Sequence, residues 1–264
     1  MKVLVTLGVG LFFIYLSLII FVYIVQRKLQ YFPTHRDSTS SGNRNFSPWK
    51  SRGGDFLGYV REAENPKRAF IFFHGNGGEA LDREWLTELI PDRHVVILLA
   101  EYPGYGSKDG ELSENSFQET AKIQMKEALE QFKVPLSLAA ESLGTGVACH
   151  VASQFPVDRI ALIAPFSSAV DVARFHYPFL PVSLLMKDKF LCLGHMSSVK
   201  VPLHIVHGTL DEIVPIHLGR KLFEAYPGPQ KKMTEIPGYE HNNIIPAILN
   251  SPLAEGFRDF VNKD

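Results

Sequence analysis

Three short segments of this 264-residue chain carry residue types that cooperate in covalent chemistry. The first is Ala139-Ala140-Glu141-Ser142-Leu143-Gly144-Thr145-Gly146, a serine with small residues two before and two after it. The second is His207-Gly208-Thr209-Leu210-Asp211-Glu212-Ile213-Val214-Pro215, and the third is Gly238-Tyr239-Glu240-His241-Asn242-Asn243. A serine hydroxyl is a weak nucleophile until a neighbouring base takes its proton. Imidazole does this near neutral pH, and a carboxylate fixes the imidazole tautomer and stabilises the cation that forms. Ser142, His241 and Asp211 supply these three groups, with Glu212 a rival to Asp211 as orienter. Each also has a plainer reading: Ser142 as a helix N-cap, Asp211 as a cap near Pro215, His241 as a solvated loop histidine.

The elements around the segments favour chemistry. The apolar run Leu136 to Ala139 reads as a buried strand and Val147 to Phe155 as a helix. A serine between them sits on a turn so sharp that only Gly or Ala fits beside strand and helix. Its hydroxyl is pushed out of the sheet, with the next backbone N–H and the helix N-terminus aimed at the same space. Further apolar runs read as strands: Arg68 to Phe73, His94 to Leu99, Arg159 to Ala164, Val201 to Val206 and Met233 to Ile236. Asp55 to Glu62 alternates weakly and reads as an edge strand. Between the runs lie helical patterns over 81–90, 216–225, 244–249 and 253–261. Another places Phe117, Ala121, Met125, Ala128 and Phe132 on one face, behind a capping box formed by Ser116 and Glu119. Short apolar runs alternating with amphipathic helices predict an α/β fold, a mostly parallel sheet covered on both faces. Chemistry on such a sheet belongs at the carboxyl ends of strands, and each of the three segments directly follows a strand.

Five segments in order, FFHGNGG, EYPGYG, AESLGTG, HGTLDEIVP and GYEHNN, cover the chain from about Phe70 to Asn243. On these the chain resembles the α/β-hydrolase superfamily. It is similar to single-pass, membrane-anchored abhydrolase-domain proteins, whose relatives include esterases and protein depalmitoylases. The resemblance implies Ser142 as nucleophile, His241 as general base and Asp211 as its orienter, in the chain order expected of that fold. It implies Asn76 and Leu143 as oxyanion donors through their backbone N–H groups. Two departures stand out: Ala140 where Gly is commoner, and Glu141 just before the nucleophile, a charge beside the pocket. The implied activity is cleavage of acyl esters or thioesters with no metal or organic cofactor. An amidase or peptidase with the same triad, and a non-catalytic binding protein of the same fold, are the alternatives.

From Val3 to Val25 the chain has no charged residue, and Arg27 and Lys28 follow. As a helix this run spans about 35 Å, enough for a bilayer core, and no small-residue cleavage site follows it. Residues 1–28 therefore read as a membrane anchor of unspecified sidedness. Residues 29–54, rich in Ser, Gly, Asn and charge, read as a connector, and 55–264 as the folded domain. Within it, 166–200 is an insert rich in large apolar groups, either a flap packed on the core or a lid over an acyl pocket. The expected partners are a small-molecule or acyl-lipid substrate and the membrane; the oligomeric state is not legible. A net charge of −1 gives no reason to expect nucleic acid. Cys149 and Cys192 read as buried free thiols, and Tyr102 and Tyr105 as packing. His74 reads as a support for the oxyanion turn. His204 and His207, three apart on a strand, face opposite sides and do not read as a metal pair. The glycines near Gly77 and Gly106 lack the Gly-Lys-Ser/Thr of a phosphate loop.

Overall fold

The strand-forming runs of the sequence assemble into one eight-stranded sheet in the computed structural model, which describes residues 2–34 and 45–263. The strands are β1 (Ser47–Lys50), β2 (Phe56–Arg61), β3 (Arg68–Phe73), β4 (Val95–Ala100), β5 (Leu136–Glu141), β6 (Ile160–Ile163), β7 (Leu203–Gly208) and β8 (Lys231–Ile236). Their spatial order is β1-β2-β4-β3-β5-β6-β7-β8. β1 and β2 run antiparallel to their neighbours, and every other pairing is parallel. β3, β4, β6 and β7 are buried along their whole length, which is why they read as near-continuous apolar runs, broken only by Arg68 in β3 and by His204 and His207 in β7, rather than as alternating ones.

Side chains alternate across each strand, so the sheet feeds two cores. Ile71 and Phe73 of β3 pack with Phe117 and Met125 of α2 (Glu114–Phe132) and with Val147 and Val151 of α3 (Leu143–Ala152). Phe70 and Phe72 point the other way, toward Leu86 and toward the C-terminal helices α6 (Ile244–Asn250) and α7 (Glu255–Asn262). Between β6 and β7 the chain makes α4 (Ala169–His176) and two short turns of helix, Val182–Leu185 and Cys192–Met196; α5 (Ile216–Ala225) follows β7. Helices thus cover both faces, as the alternating pattern predicts. Cys149 and Cys192 are buried free thiols.

Three local readings change. The N-cap of α2 is Ser113, which accepts from the Ser116 N–H at 3.2 Å, so the predicted Ser116–Glu119 box does not form. Glu119 instead pairs with Lys122. Phe56–Arg61 is not the outermost strand: Ser47–Lys50, inside the stretch read as connector, takes the edge beside it. The chain also touches the domain earlier, since Phe32–Pro33 pairs in parallel with Gly77–Gly78. Residues 35–44, the middle of that stretch, lie outside the described residues.

At the amino end, α1 (Lys2–Gln30) is a single helix of 29 residues, long and apolar enough to cross a membrane. Its apolar side chains are exposed along most of its length; near its C-terminal end Gln26 is buried against the domain.

Candidate active site

The turn from β5 to α3 brings Ser142 to the carboxyl edge of the sheet. Its backbone is strained, with φ 49° and ψ −118°, a region that a side chain normally avoids. The strain is held from several sides. The Ser142 N–H donates to the Ile163 carbonyl at 2.9 Å, and the Thr145 hydroxyl donates to the Ser142 carbonyl at 2.6 Å. A Cβ at Gly144 would overlap the Phe73 carbonyl oxygen, so glycine is required where α3 crosses the end of β3. Ala140 is fully buried between Phe73 and Leu162 of the neighbouring strands. Its methyl group fits there, and the departure from Gly leaves the turn intact.

Asp211 lies three residues past β7, and His241 sits in the loop after β8. A Cβ at Gly208 would overlap the Tyr239 carbonyl, so these two loops lie in backbone contact. Leu210 N–H donates to that carbonyl at 2.9 Å, and Gly238 N–H donates to the Thr209 hydroxyl at 3.0 Å. The result joins the three predicted groups. His241 Nδ1 is 2.7 Å from Asp211 Oδ2, and His241 Nε2 is 3.0 Å from Ser142 Oγ. Asp211 Oδ1 accepts from the N–H groups of Ile213 at 3.0 Å and Val214 at 2.7 Å. Its orientation is therefore fixed by backbone, not by chance rotamer choice. Glu212, the rival orienter, is exposed to solvent.

A residue that sequence reasoning treated only as a metal candidate supports this carboxylate from below. His207 is fully buried, and its Nε2 lies 2.8 Å from the Val214 carbonyl and 3.3 Å from Asp211 Oδ2. Both partners are acceptors, so Nε2 carries the hydrogen. His204 faces the other side of the sheet, bonded to the Thr234 hydroxyl and packed against Phe257 and Phe260.

Burial alone would push the Asp211 carboxyl up, but donors from His207, His241 and the Val214 N–H outweigh it and bring it down from 3.8 to about 2. A carboxyl depressed in the folded state stabilises the fold fully above its unfolded value and loses that contribution as pH falls through the folded one. The contribution is roughly 2 kcal/mol. The stability gap between wild type and Asp211→Asn is therefore expected to narrow as pH falls from about 4 to about 2. Chemical unfolding of both proteins across that window measures it, and a gap independent of pH would contradict the assignment.

Asn76 follows β3 in the loop facing Ser142. Its side chain is fully engaged: Oδ1 accepts from the Tyr105 hydroxyl at 2.8 Å and the Phe32 N–H at 3.2 Å, and Nδ2 donates to the Gln30 carbonyl at 2.6 Å. Those bonds fix the peptide whose N–H the resemblance assigns to the oxyanion. Leu143 opens α3, where the first N–H groups have no partner within the helix. His74 lies behind the loop, with Nδ1 2.8 Å from the Gly75 carbonyl and Nε2 3.0 Å from the fully buried Glu101. Tyr102 and Tyr105 stack with His74 and Phe117 as packing groups, and the Tyr102 hydroxyl donates to the His74 carbonyl at 3.0 Å. The charge of Glu141 beside Ser142 is answered by Arg83, whose guanidinium donates to it at 2.9 Å and 3.3 Å. Nothing in the sequence separation of 58 residues marks that pair.

Ser142, Leu143, Asn76 and His241 line one wall of a cavity of about 550 Å³. The opposite walls come from the insert, through Val172, Leu180 and Met186, and from the last turns of α1, through Val22 and Leu29. The participation of α1 has no signal in the sequence beyond Gln26, a polar residue at the end of an apolar run.

Comparison with known proteins agrees with this architecture. No protein-family model matches the chain. An uncharacterised protein of Mycobacterium tuberculosis is 30% identical over 253 residues, covering 89% of this chain and 86% of that protein. Protein ABHD12B of Homo sapiens is 28% identical, covering 81% of this chain and 66% of its own length. A putative alpha/beta hydrolase of Acanthamoeba polyphaga mimivirus is 27% identical, covering 80% and 81%. Among solved structures, a monoacylglycerol lipase of Paleococcus ferrophilus superposes with a TM-score of 0.58 at 18% identity, covering 77% of this chain and 96% of that one. An esterase of Pyrococcus furiosus does so with a TM-score of 0.61 at 13% identity, covering 88% and 96%. The chain belongs to the α/β-hydrolase superfamily.

Proposed function

We propose that this chain is a membrane-anchored serine hydrolase that cleaves acyl esters or thioesters through an acyl-enzyme on Ser142. The observation that carries the reading is the bridging position of His241, 3.0 Å from the Ser142 hydroxyl and 2.7 Å from Asp211. Ionised Asp211 accepts the Nδ1 hydrogen, which leaves the Nε2 lone pair facing Ser142. As Oγ attacks the acyl carbon, its proton passes to Nε2, and the imidazolium is stabilised by the carboxylate. The carbonyl oxygen gains the negative charge, and the Leu143 and Asn76 N–H groups are the donors assigned to it, with the N-terminus of α3 behind them. Collapse expels the alcohol or thiol, which takes the proton from His241, and the acyl group stays on Oγ. Water, deprotonated by His241, then attacks the acyl carbon. The acid leaves and Ser142 recovers its proton. Residues 1–28 are the anchor in this reading, and the 166–200 insert roofs the acyl-binding cavity through Val172, Leu180 and Met186.

A burst of nitrophenol, followed by slower steady turnover, is the expected pre-steady-state trace with nitrophenyl esters. Across an acyl series, kcat/KM is expected to rise severalfold per added methylene until the cavity fills, because each buried CH₂ is worth about 0.8 kcal/mol. A flat chain-length profile would count against the cavity as the acyl site. Turnover with no burst at any chain length would count against an acyl-enzyme whose breakdown is slow.

A further inference from the structure

The insert and the anchor are joined by polar contacts that catalysis itself does not require. From Phe175 to Met186 the insert has no Asp, Glu, Lys or Arg, and it is bounded by Arg174 and Lys187. Its large apolar groups are not tucked under: Leu184 is 85% exposed, Phe179 60% and Phe175 54%. A soluble flap would turn such groups inward. Here the segment that carries them runs beside α1, and its contacts are spread along the helix. The Tyr15 hydroxyl donates to the Phe179 carbonyl at 2.7 Å. Gln26 Nε2 donates to the Leu185 carbonyl at 3.1 Å, and the Lys187 N–H donates to Gln26 Oε1 at 2.8 Å. Arg27 pairs with Asp188 at 2.9 Å, and the Lys187 ammonium sits 4.4 Å from the centroid of the Tyr23 ring.

The spacing of these contacts sets a depth. Tyr15 precedes Arg27 by twelve residues, a rise of roughly 18 Å along the helix. With Arg27 at the headgroups, the Phe179 carbonyl lies well inside a hydrocarbon layer about 30 Å thick. Irregular backbone is tolerated at that depth only where protein groups satisfy it. Tyr15 and Gln26, two of the few polar residues of the helix, satisfy the insert's carbonyls at Phe179 and Leu185. The cavity that reaches Ser142 is walled by these same two elements, through Val22 and Leu29 on α1 and Leu180 and Met186 on the insert.

We infer that the insert is a second membrane-embedded element, docked on the anchor, and that the substrate is a long-chain acyl ester or thioester already resident in the leaflet, whose chain reaches Ser142 sideways between α1 and the insert. The inference rests on the proposed hydrolase reading for its substrate and on the anchor for its depth. Lipid is the occupant committed to, because the exposed patch is continuous with an apolar helix that itself needs lipid. Arg174 and Lys187 bracket the patch where headgroup phosphates would lie.

The test uses the full chain reconstituted in phosphatidylcholine vesicles. A nitroxide on Leu184→Cys is expected to be relaxed more by oxygen than by a water-soluble nickel chelate, the reverse of a label on Glu62→Cys at the exposed end of the sheet. A label at 184 that responds to nickel as the one at 62 does would overturn the inference. So would a label shielded from both reagents, as when a second copy or another protein covers the patch. In the same vesicles, Phe179→Asp/Leu184→Asp is expected to lower kcat/KM for a vesicle-resident long-chain ester at least about 10-fold, as two charges placed at hydrocarbon depth oppose insertion. Turnover of soluble nitrophenyl acetate is expected to stay unchanged. Equal loss on both esters, or no loss on either, would overturn the sideways route. The relaxation measurement does not depend on turnover. A lipid-exposed label on a protein that cleaves no ester would refute the hydrolase reading and uphold the insertion.

Discussion

Ser142→Ala is expected to lower kcat on every ester by at least about 10³-fold while KM changes little. In the proposed mechanism the hydroxyl oxygen is the atom that bonds to the acyl carbon, and no neighbouring group replaces it. The Ser142 side chain makes one hydrogen bond, to His241 Nε2, so its loss leaves the sheet and both cores as they were. Alanine keeps the strained backbone at φ 49° and leaves the bond from the Thr145 hydroxyl to the residue-142 carbonyl in place. Circular dichroism and thermal unfolding in detergent are expected to match wild type, and steady-state kinetics supplies the readout. Residual turnover within tenfold of wild type would remove Ser142 from the mechanism.

Asp211→Asn is expected to cost about 10³- to 10⁴-fold in kcat, through the tautomer of His241 rather than through its position. The two backbone donors at Ile213 and Val214 hold one side-chain oxygen and would hold the amide oxygen of asparagine in the same place. The amide NH₂ then replaces Oδ2, facing His241 Nδ1 at 2.7 Å. Two donors cannot face each other, so Nδ1 must give up its hydrogen and Nε2 must carry it. A protonated Nε2 cannot take the serine proton. The same NH₂ meets the Nε2–H of His207, so the variant also loses a support beneath the carboxylate. A kcat within tenfold of wild type would show that the carboxylate does not set the tautomer.

The parts of the molecule that were legible in the sequence are those whose physics is local. β3, β4 and β6 announce themselves as near-continuous apolar runs because both faces of the sheet are covered. Ser142, Asp211 and His241 stand out because each follows a segment that reads as a strand and because their types are few and chemically specific. What stayed hidden depends on distant chain. β1 buries only Trp49 of its four residues and contains Pro48, so it carries no apolar signature of a strand. The pairing of Phe32–Pro33 with Gly77–Gly78 is too short for any periodicity. Arg83 falls unremarked within the helical pattern over 81–90 and Glu141 stands as a lone charge before Ser142, and only the fold brings them within 2.9 Å. Ser113 and Ser116 are both plausible caps by residue type, and the choice is made by where α2 meets the Asp188 carboxylate, which accepts from the Glu114 N–H at 3.0 Å. His207 could be ruled out as half of a metal pair with His204 from spacing alone, but its support of Asp211 stayed hidden because a sequence does not show which acceptors surround a ring.

Fluorophosphonate labelling, read by mass spectrometry of the peptide that contains Ser142, asks the central question without choosing a substrate. The full chain in vesicles is expected to take up one phosphonyl group on the Ser142 oxygen, and His241→Ala is expected to take up almost none in the same time. A wild-type protein that stays unmodified, or one modified at another serine with Ser142 intact, would contradict the account.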